Sequence, residues 1–232
     1  MKHQIITKRE FLKKSVTIGS SGIFGFSILS GCSKEKEKDE EDVAPAEDLM
    51  REHGLLNRIL LIYDTCRQHL LNGFFFPFEA LTNSATIIRT FIEDYHEKLE
   101  EDHLFPRFEK ANKLTDLVNT LRIQHQAGRN LTDQIIQISK NSGASKEEHQ
   151  TLATLITKFN TMYRPHEARE DTVLFPALRS IISKHEYDSL GEDFEKKEHE
   201  LFGENGFESM VEKVATIERQ LNIFDLSKFT PQ

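Results

Sequence analysis

The sequence predicts an all-α protein, in which four long helices form an up-down bundle and short C-terminal helices follow. Apolar residues recur at steps of three and four from Leu49 onward, and the strict alternation of apolar and polar residues that marks β-strands is absent. Clusters of Gly, Pro, Asn and Ser are few, which predicts short connections and therefore antiparallel neighbouring helices. A motif rich in His and Glu also occurs twice, which indicates a duplicated helical hairpin.

The composition excludes several classes of protein. The chain has 232 residues and a formal net charge of −8, which suits one domain with an appendage. It has no apolar run of about 18 residues, which argues against a polytopic membrane protein. Its acidity, without a cluster of Lys and Arg, argues against nucleic-acid binding. The two cysteines, Cys32 and Cys66, are too few for a disulfide framework or a thiolate zinc site.

Residues 1–31 have the pattern of a bacterial export signal. A basic segment precedes residues 15–31, which are apolar or small. The segment Leu29-Ser30-Gly31-Cys32 resembles the lipobox of bacterial lipoproteins. That resemblance implies that Cys32 is acylated and that the protein meets the membrane only through this lipid, facing the periplasm or the cell surface. Residues 7–13 also resemble a twin-arginine motif with Lys in the first position, so both the twin-arginine and the general secretory routes stay open.

After the charged residues 32–46, which predict a flexible tether, the helices can be assigned in order. The four long helices are expected at residues 46–71, 78–112, 114–140 and 145–184, and two short ones at residues 186–202 and 206–221. Asn72-Gly73 ends the first helix, and Ser145 and Glu148 have the spacing of a capping box at the start of the fourth. Kinks are expected at Pro165 and Pro176. We therefore expect a bundle domain at residues 47–185 and a helical extension at residues 186–232 that packs on it.

The internal repeat is the most specific signal in the sequence. The segment from His96 to Pro106 matches the segment from His166 to Pro176, because both read His-Glu-x-x-Glu-acid-x-x-Leu-Phe-Pro. The two copies are offset by 70 residues, and His53 and His125 upstream are offset by 72. The sequence therefore indicates a duplicated helical hairpin.

The repeated residues have the chemistry and the spacing of a metal site. Positions i and i+4 share one face of a helix, so His96 with Glu100, and His166 with Glu170, each present a nitrogen and a carboxylate in the same direction. All the histidines of the repeat lie on the apolar faces of their helices. Two buried carboxylates without partners would cost several kcal/mol each, so a dinuclear cation explains the pattern. Imidazole with carboxylate suits iron, manganese or zinc. The six candidate ligands are His53, His96, Glu100, His125, His166 and Glu170.

The order of these residues, with Leu-Phe-Pro after each His-x-x-x-Glu pair, resembles the hemerythrin-like (HHE cation-binding) domain over roughly residues 47–185. The resemblance implies a non-haem di-iron site bridged by Glu100 and Glu170, with the four histidines as terminal ligands. It also implies reversible binding or sensing of O2 or a related small molecule. Oxygen-carrying hemerythrins have a second His one turn after the ligand of the third helix, where this sequence has Arg129. They also have a His-x-x-x-x-Asp pair on the last helix, so Asp171 competes with Glu170 as the bridge.

Other ligands and several functions stay open at this point. A seventh ligand could come from a set of nearby residues, namely Glu97, Glu167, Asp171, Tyr95, Tyr163, His103 or His199. The first functional hypothesis is a lipid-anchored di-iron protein that binds or senses O2, or buffers iron. The second is a di-iron oxidase or peroxidase that acts on O2, peroxide or nitric oxide. The third is a structural bundle that holds zinc or manganese. The expected ligand is a small diatomic molecule or peroxide, and the sequence identifies no protein partner.

Overall fold

The computed structural model describes residues 44–140 and 145–231. These residues form helices and no β-strand, which confirms the all-α class. None of the described helices combines the length and the apolar character that a membrane span requires. The predicted signal peptide, Cys32 and the tether up to residue 43 lie outside the described residues.

Six helices build the described part of the chain. Helix α1 is Pro45–Asn72, α3 is Thr115–Ser139, α5 is Lys184–Phe202 and α6 is Gly206–Gln220, with a 3-10 turn at Leu226–Phe229. Helix α2 covers residues 78–110, with α-helical segments Phe78–Ile87, Glu97–Leu99 and Phe105–Lys110 and π-helical segments Ile88–His96 and Glu100–Leu104. Helix α4 covers residues 146–178, with α-helical segments Lys146–Arg169 and Phe175–Leu178 and a π-helical segment Glu170–Leu174.

Local sequence signals set the ends of the first and fourth helices. Pro45 occupies the first turn of α1, where its missing N–H has no helical acceptor to bond. Gly73 follows α1 with a φ of 68°, a left-handed conformation that favours glycine, and its N–H bonds to the carbonyl of His69. Ser145 and Glu148 form the expected capping box at the start of α4, because each side chain accepts a backbone N–H of the other.

Contacts between helices establish that α1 to α4 run alternately up and down. Along α2 and α3, Thr82 bonds to Ser139 near one end, and Glu101 bonds to His125 near the other. Helices α1 and α4 are antiparallel in the same way, because His53 bonds to Asp171 and Asp64 bonds to Asn160. The apolar faces of all four helices meet in one buried core, whose largest side chains include Tyr63, Phe91 and Phe159.

Helix α4 ends earlier than the sequence pattern predicted. Its last helical residue is Leu178, whereas the expected helix continued to residue 184. The reason is Ser183, whose side chain accepts the backbone N–H of Glu186 and so caps a new helix, α5. Helix α5 packs on α1, and α6 packs on α1 and α2.

Two of the three described π-helical segments, Glu100–Leu104 and Glu170–Leu174, lie at equivalent places in the repeated motif. In each copy the backbone N–H of the phenylalanine bonds to the carbonyl of the residue five positions earlier. Phe105 donates to Glu100, and Phe175 donates to Glu170. A proline follows each phenylalanine and has no N–H to donate to the preceding turn. The wide turns before Pro106 and Pro176 therefore recur at equivalent places, whereas α4 continues as an α-helix through Pro165.

Candidate metal centre

Four imidazole rings meet inside the bundle, one from each of α1 to α4. His53 and His96 form one pair, with their ring centroids 4.7 Å apart and their Nε2 atoms 3.0 Å apart. His125 and His166 form a second pair, with centroids 5.0 Å apart. All four rings are buried. The structure therefore brings together the four histidines of the repeat at one depth.

Two carboxylates lie between these histidine pairs. The two oxygens of Glu100 lie 3.8 Å from His96 Nε2 and 3.4 Å from His125 Nε2. One oxygen of Glu170 lies 3.1 Å from His166 Nε2 and 3.4 Å from His53 Nε2. Each carboxylate thus faces one ring from each pair, which is the arrangement that a bridging ligand needs.

An outer set of side chains orients the four rings. Each histidine Nδ1 bonds to an oxygen that points away from the centre: Asp171 for His53 at 2.7 Å, Glu52 for His96 at 2.7 Å, Glu101 for His125 at 3.1 Å and Gln124 for His166 at 2.9 Å. When these oxygens accept from Nδ1, Nε2 is the atom of each ring that faces the centre and is available to a cation. Such outer bonds orient metal-binding histidines in general.

This outer set separates the roles of Glu170 and Asp171. Glu170 lies at the centre, whereas Asp171 bonds to the far side of the His53 ring. Asp171 corresponds in the repeat to Glu101, which holds His125 in the same way. Of these two acidic residues, Glu170 therefore has the position of a bridge, and Asp171 has the position of an orienting residue.

The phenylalanines of the repeated Leu-Phe-Pro segments form walls of the centre. Phe175 stacks on His53 with a centroid distance of 5.5 Å, and Phe105 stacks on His125 at the same distance. Each phenylalanine thus covers a histidine that belongs to the other hairpin. The walls exclude water and hold the rings in place.

Burial and neighbouring charges shift the pKa values of the groups at the centre. Burial raises the pKa of Glu100 well above its usual range, and repulsion from Glu170 adds to this effect. Burial alone would also raise the pKa of Glu170, but His166 and His53 outweigh it and hold that pKa low. Burial acts to lower the pKa of His53, but its hydrogen bond to Asp171 and the nearby charge of Glu170 raise it well above its usual range. The two facing carboxyl groups therefore differ in their affinity for a proton, which is higher at Glu100 than at Glu170.

The donor atoms fit a pair of cations. All four oxygens of Glu100 and Glu170, and Nε2 of His125, are buried without a hydrogen bond of acceptable geometry among the described residues. An unsatisfied buried polar group costs about 1–3 kcal/mol. Two ligand atoms that each lie about 2.1 Å from one ion, at right angles to each other, are about 3 Å apart. The shorter distances between ligand atoms in this centre are close to that value. The potential ligand groups are His53, His96 and Glu100, and His125, His166 and Glu170.

The candidates for a seventh ligand lie elsewhere or are already bonded. One oxygen of Glu97 accepts the Tyr163 hydroxyl at 2.6 Å, and the other lies 2.8 Å from the Arg129 guanidinium. Glu167 accepts the amide of Asn57, and burial raises the pKa of Glu167 to about 8.

The remaining candidates are aromatic or imidazole side chains. The ring of Tyr95 packs against Phe91 and Phe202. His103 lies edge-on to Phe194 of α5, and His199 is exposed on the same helix.

Sequence reasoning did not single out three of the orienting residues, Glu52, Glu101 and Gln124. The signal was present, because Glu52 and Gln124 directly precede His53 and His125 and share their offset of 72 residues. It also missed the role of Arg129, which bonds to Glu101 and pairs with Glu97. These roles depend on contacts between different helices, which helical periodicity does not reveal.

Gly128 gives Tyr163 the space to reach Glu97. A Cβ atom at position 128 would lie 2.0 Å from the Tyr163 hydroxyl oxygen, so Gly128→Ala forces the phenol to move. We expect this variant to lower the free energy of unfolding by about 1–3 kcal/mol in urea denaturation, the usual cost of overpacking a core.

Gly54→Ala is the matched control for that substitution. Gly54 lies in α1, and a Cβ there meets no atom within 4 Å. Alanine is the better helix former by up to about 1 kcal/mol, so this variant should be as stable as the wild type or more stable. Equal destabilisation by both substitutions would contradict the packing described for Tyr163.

Comparison with known proteins supports this interpretation. The family model for the hemerythrin HHE cation binding domain matches residues 44–178, and a second match covers residues 116–223. Uncharacterized proteins of Mycobacterium bovis and Mycobacterium tuberculosis are each 47% identical to this chain over 225 residues. Each alignment covers 93% of this chain and 88% of the relative. No solved structure matches the chain.

Proposed function

Because this chain belongs to the hemerythrin HHE cation-binding family, we propose that its centre holds a pair of iron ions that bind or sense O2 or a related small molecule, or buffer iron. The observation that carries this proposal is the placement of two buried carboxylates, Glu100 and Glu170, between two pairs of imidazoles. When bound, a pair of iron ions supplies an open coordination position and the electrons for O2 chemistry.

The side chains around the centre have separate tasks in this proposal. The outer oxygens hold each imidazole in the tautomer that offers Nε2. Phe105 and Phe175 keep water away from the rings. Any proton on Glu100 or on Nε2 of His53 must leave when a cation enters, because the lone pairs of these atoms are then needed as ligands.

The burial of the centre limits the size of the molecule that it binds. The six candidate ligands are at most 4% exposed, and His166 is the most exposed of them. A diatomic molecule or peroxide can reach such a site through small fluctuations, whereas an organic substrate needs an open cleft. This supports a small ligand for the proposed iron pair.

A buried hydrogen-bonded chain favours a second candidate function, an oxidase or peroxidase. The Tyr163 ring lies 5.4 Å from the His166 ring, and its hydroxyl donates to Glu97, which pairs with Arg129. Burial raises the pKa of Tyr163 well above its usual range, so the phenol keeps its proton until an oxidant removes it. With an iron pair in the centre, this phenol would supply one proton and one of the two electrons that reduction of a peroxide needs, and the iron pair would supply the other electron.

The test is metal analysis and spectroscopy of the full-length protein from iron-supplied cells. We expect two iron ions per chain and a Mössbauer spectrum of a coupled pair. Adding O2 to the reduced protein should change the absorption spectrum, and removing O2 should restore it. Steady consumption of O2 or peroxide over many cycles would support the oxidase or peroxidase instead. Bound zinc with no response to O2 would contradict both functions.

We also propose that the protein is a lipoprotein anchored through Cys32 and exported to the periplasm-facing or outer surface of a membrane. The support is the sequence pattern of residues 1–32. Mass spectrometry of the mature N-terminal peptide should find an acylated cysteine, and an unprocessed residue 1 would contradict this assignment.

A further inference from the structure

The two halves of the centre are related by the repeat, and most of their contacts correspond. Asp171 bonds to His53, and its counterpart Glu101 bonds to His125. The correspondence breaks at one orienting position: the carboxylate of Glu52 bonds to His96, whereas the neutral amide oxygen of Gln124 bonds to His166. The ligands of the two halves are thus equal in kind, but their outer partners are not.

A second substitution in the repeat changes the charge in the same direction. Position 57 is Asn beside His53, and its counterpart 72 residues later is Arg129. The Arg129 guanidinium lies 2.8 Å from the oxygen of Glu101 that bonds to His125, and Lys98 pairs with the other oxygen of Glu101. In the His125–His166 half, the one orienting carboxylate, Glu101, is therefore shared with two cationic side chains. The His53–His96 half has two orienting carboxylates, Asp171 and Glu52, and the neutral Asn57.

This difference changes how strongly each pair of imidazoles binds a cation. A carboxylate that accepts the Nδ1 proton increases the electron density at Nε2 and stabilises positive charge beyond it, whereas an amide does so less. Loss of such an outer partner typically reduces metal affinity 10–100-fold. The ligand atoms themselves do not make the two cation positions different, because each half has two imidazoles and shares both bridging carboxylates.

We propose that the two cation positions are unequal, and that Glu52 and Gln124 determine the inequality. The position next to His53 and His96 fills first and binds its ion about 10–100-fold more tightly than the position next to His125 and His166. This inference rests on the proposed function, since it presupposes a pair of cations in the centre. It predicts a stable half-loaded protein in which one particular position is occupied.

The experiment is a calorimetric titration of the metal-free full-length chain with Fe(II) under anaerobic conditions. The wild type should bind one equivalent tightly and a second about 10–100-fold more weakly. Gln124→Glu should strengthen the second step so that the two steps approach each other. Glu52→Gln should weaken the first step by about 10–100-fold, and it keeps the shape of the side chain.

Gln126→Glu is the matched control. Gln126 lies on α3 with Gln124, is exposed and bonds only to Asn130 among the described contacts. Its substitution therefore adds the same charge as Gln124→Glu without a contact to a ligand. It should leave both steps unchanged. Two equal steps in the wild type, or equal effects of the 124 and 126 substitutions, would overturn the inference while leaving the iron pair in place. Failure to bind a second ion in any form of the protein would contradict the proposed function itself, and the inference with it.

Discussion

Glu100→Gln is expected to reduce bound iron from two ions per chain to one or none. The substitution keeps the size and shape of the side chain but removes the charge that lies between His96 and His125. A neutral amide is a poor bridge between two cations, so the second ion loses its ligand and the first loses much of its charge neutralisation. Iron and protein measured in the same sample give the ratio directly.

The metal-free stability of this variant separates a ligand role from a structural role. Burial raises the pKa of Glu100 well above its usual range, so burial favours an uncharged side chain at this position when no metal is bound. Glutamine mimics that form, so the metal-free variant should unfold at the wild-type temperature or above it. A variant that fails to fold without metal would show a structural role for Glu100 instead.

Two controls accompany the Glu100 variant. Glu109→Gln removes an exposed carboxylate from the same helix, where it pairs with Arg122. His149→Ala removes an imidazole that packs against Phe78 far from the centre. Both should retain two ions per chain, and a loss of iron equal to that of Glu100→Gln would refute the bridging role.

Removal of the metal should strongly destabilise the protein. Binding to the folded state alone adds about 4 kcal/mol to the free energy of unfolding when the free metal is at 1,000 times its dissociation constant. One kcal/mol shifts the melting temperature by about 2–4 °C for a domain of this size, so we expect a decrease of about 8–16 °C on chelation. Differential scanning calorimetry before and after treatment with a chelator measures it.

The physical reason for this decrease lies in the buried oxygens of Glu100 and Glu170. Without a cation they have no well-formed hydrogen bonds among the described residues, and the two carboxyl groups repel each other when ionised. Restoring iron should restore the melting temperature. Glu100→Gln should show a much smaller response to chelation, whereas an unchanged wild-type melting temperature would mean that the bundle does not depend on metal.

The sequence predicted the fold and the convergence of six side chains because both follow from spacing. A period of three to four residues defines the buried face of each helix, and the 70-residue repeat places His96 and His166 at equivalent positions. The structure adds what spacing does not contain. Whether Glu170 or Asp171 faces the centre depends on the rotation of α4 at the wide turn before Pro176.

The orienting contacts were not predicted, for a related reason. The bond from His53 to Asp171 joins residues 118 positions apart, and the bond from His166 to Gln124 joins residues 42 positions apart. To predict such contacts, one must know how two packed helices are shifted and rotated relative to each other. The end of α4 at Leu178 was missed because Ser183 was not recognised as a helix cap.

The most direct test of the dinuclear centre is anomalous X-ray diffraction at the iron absorption edge from crystals of the iron-loaded protein. We expect two anomalous peaks per chain, with Glu100 and Glu170 between them, one peak at Nε2 of His53 and His96 and the other at Nε2 of His125 and His166. Peaks elsewhere on the chain, or none among these six side chains, would contradict the account.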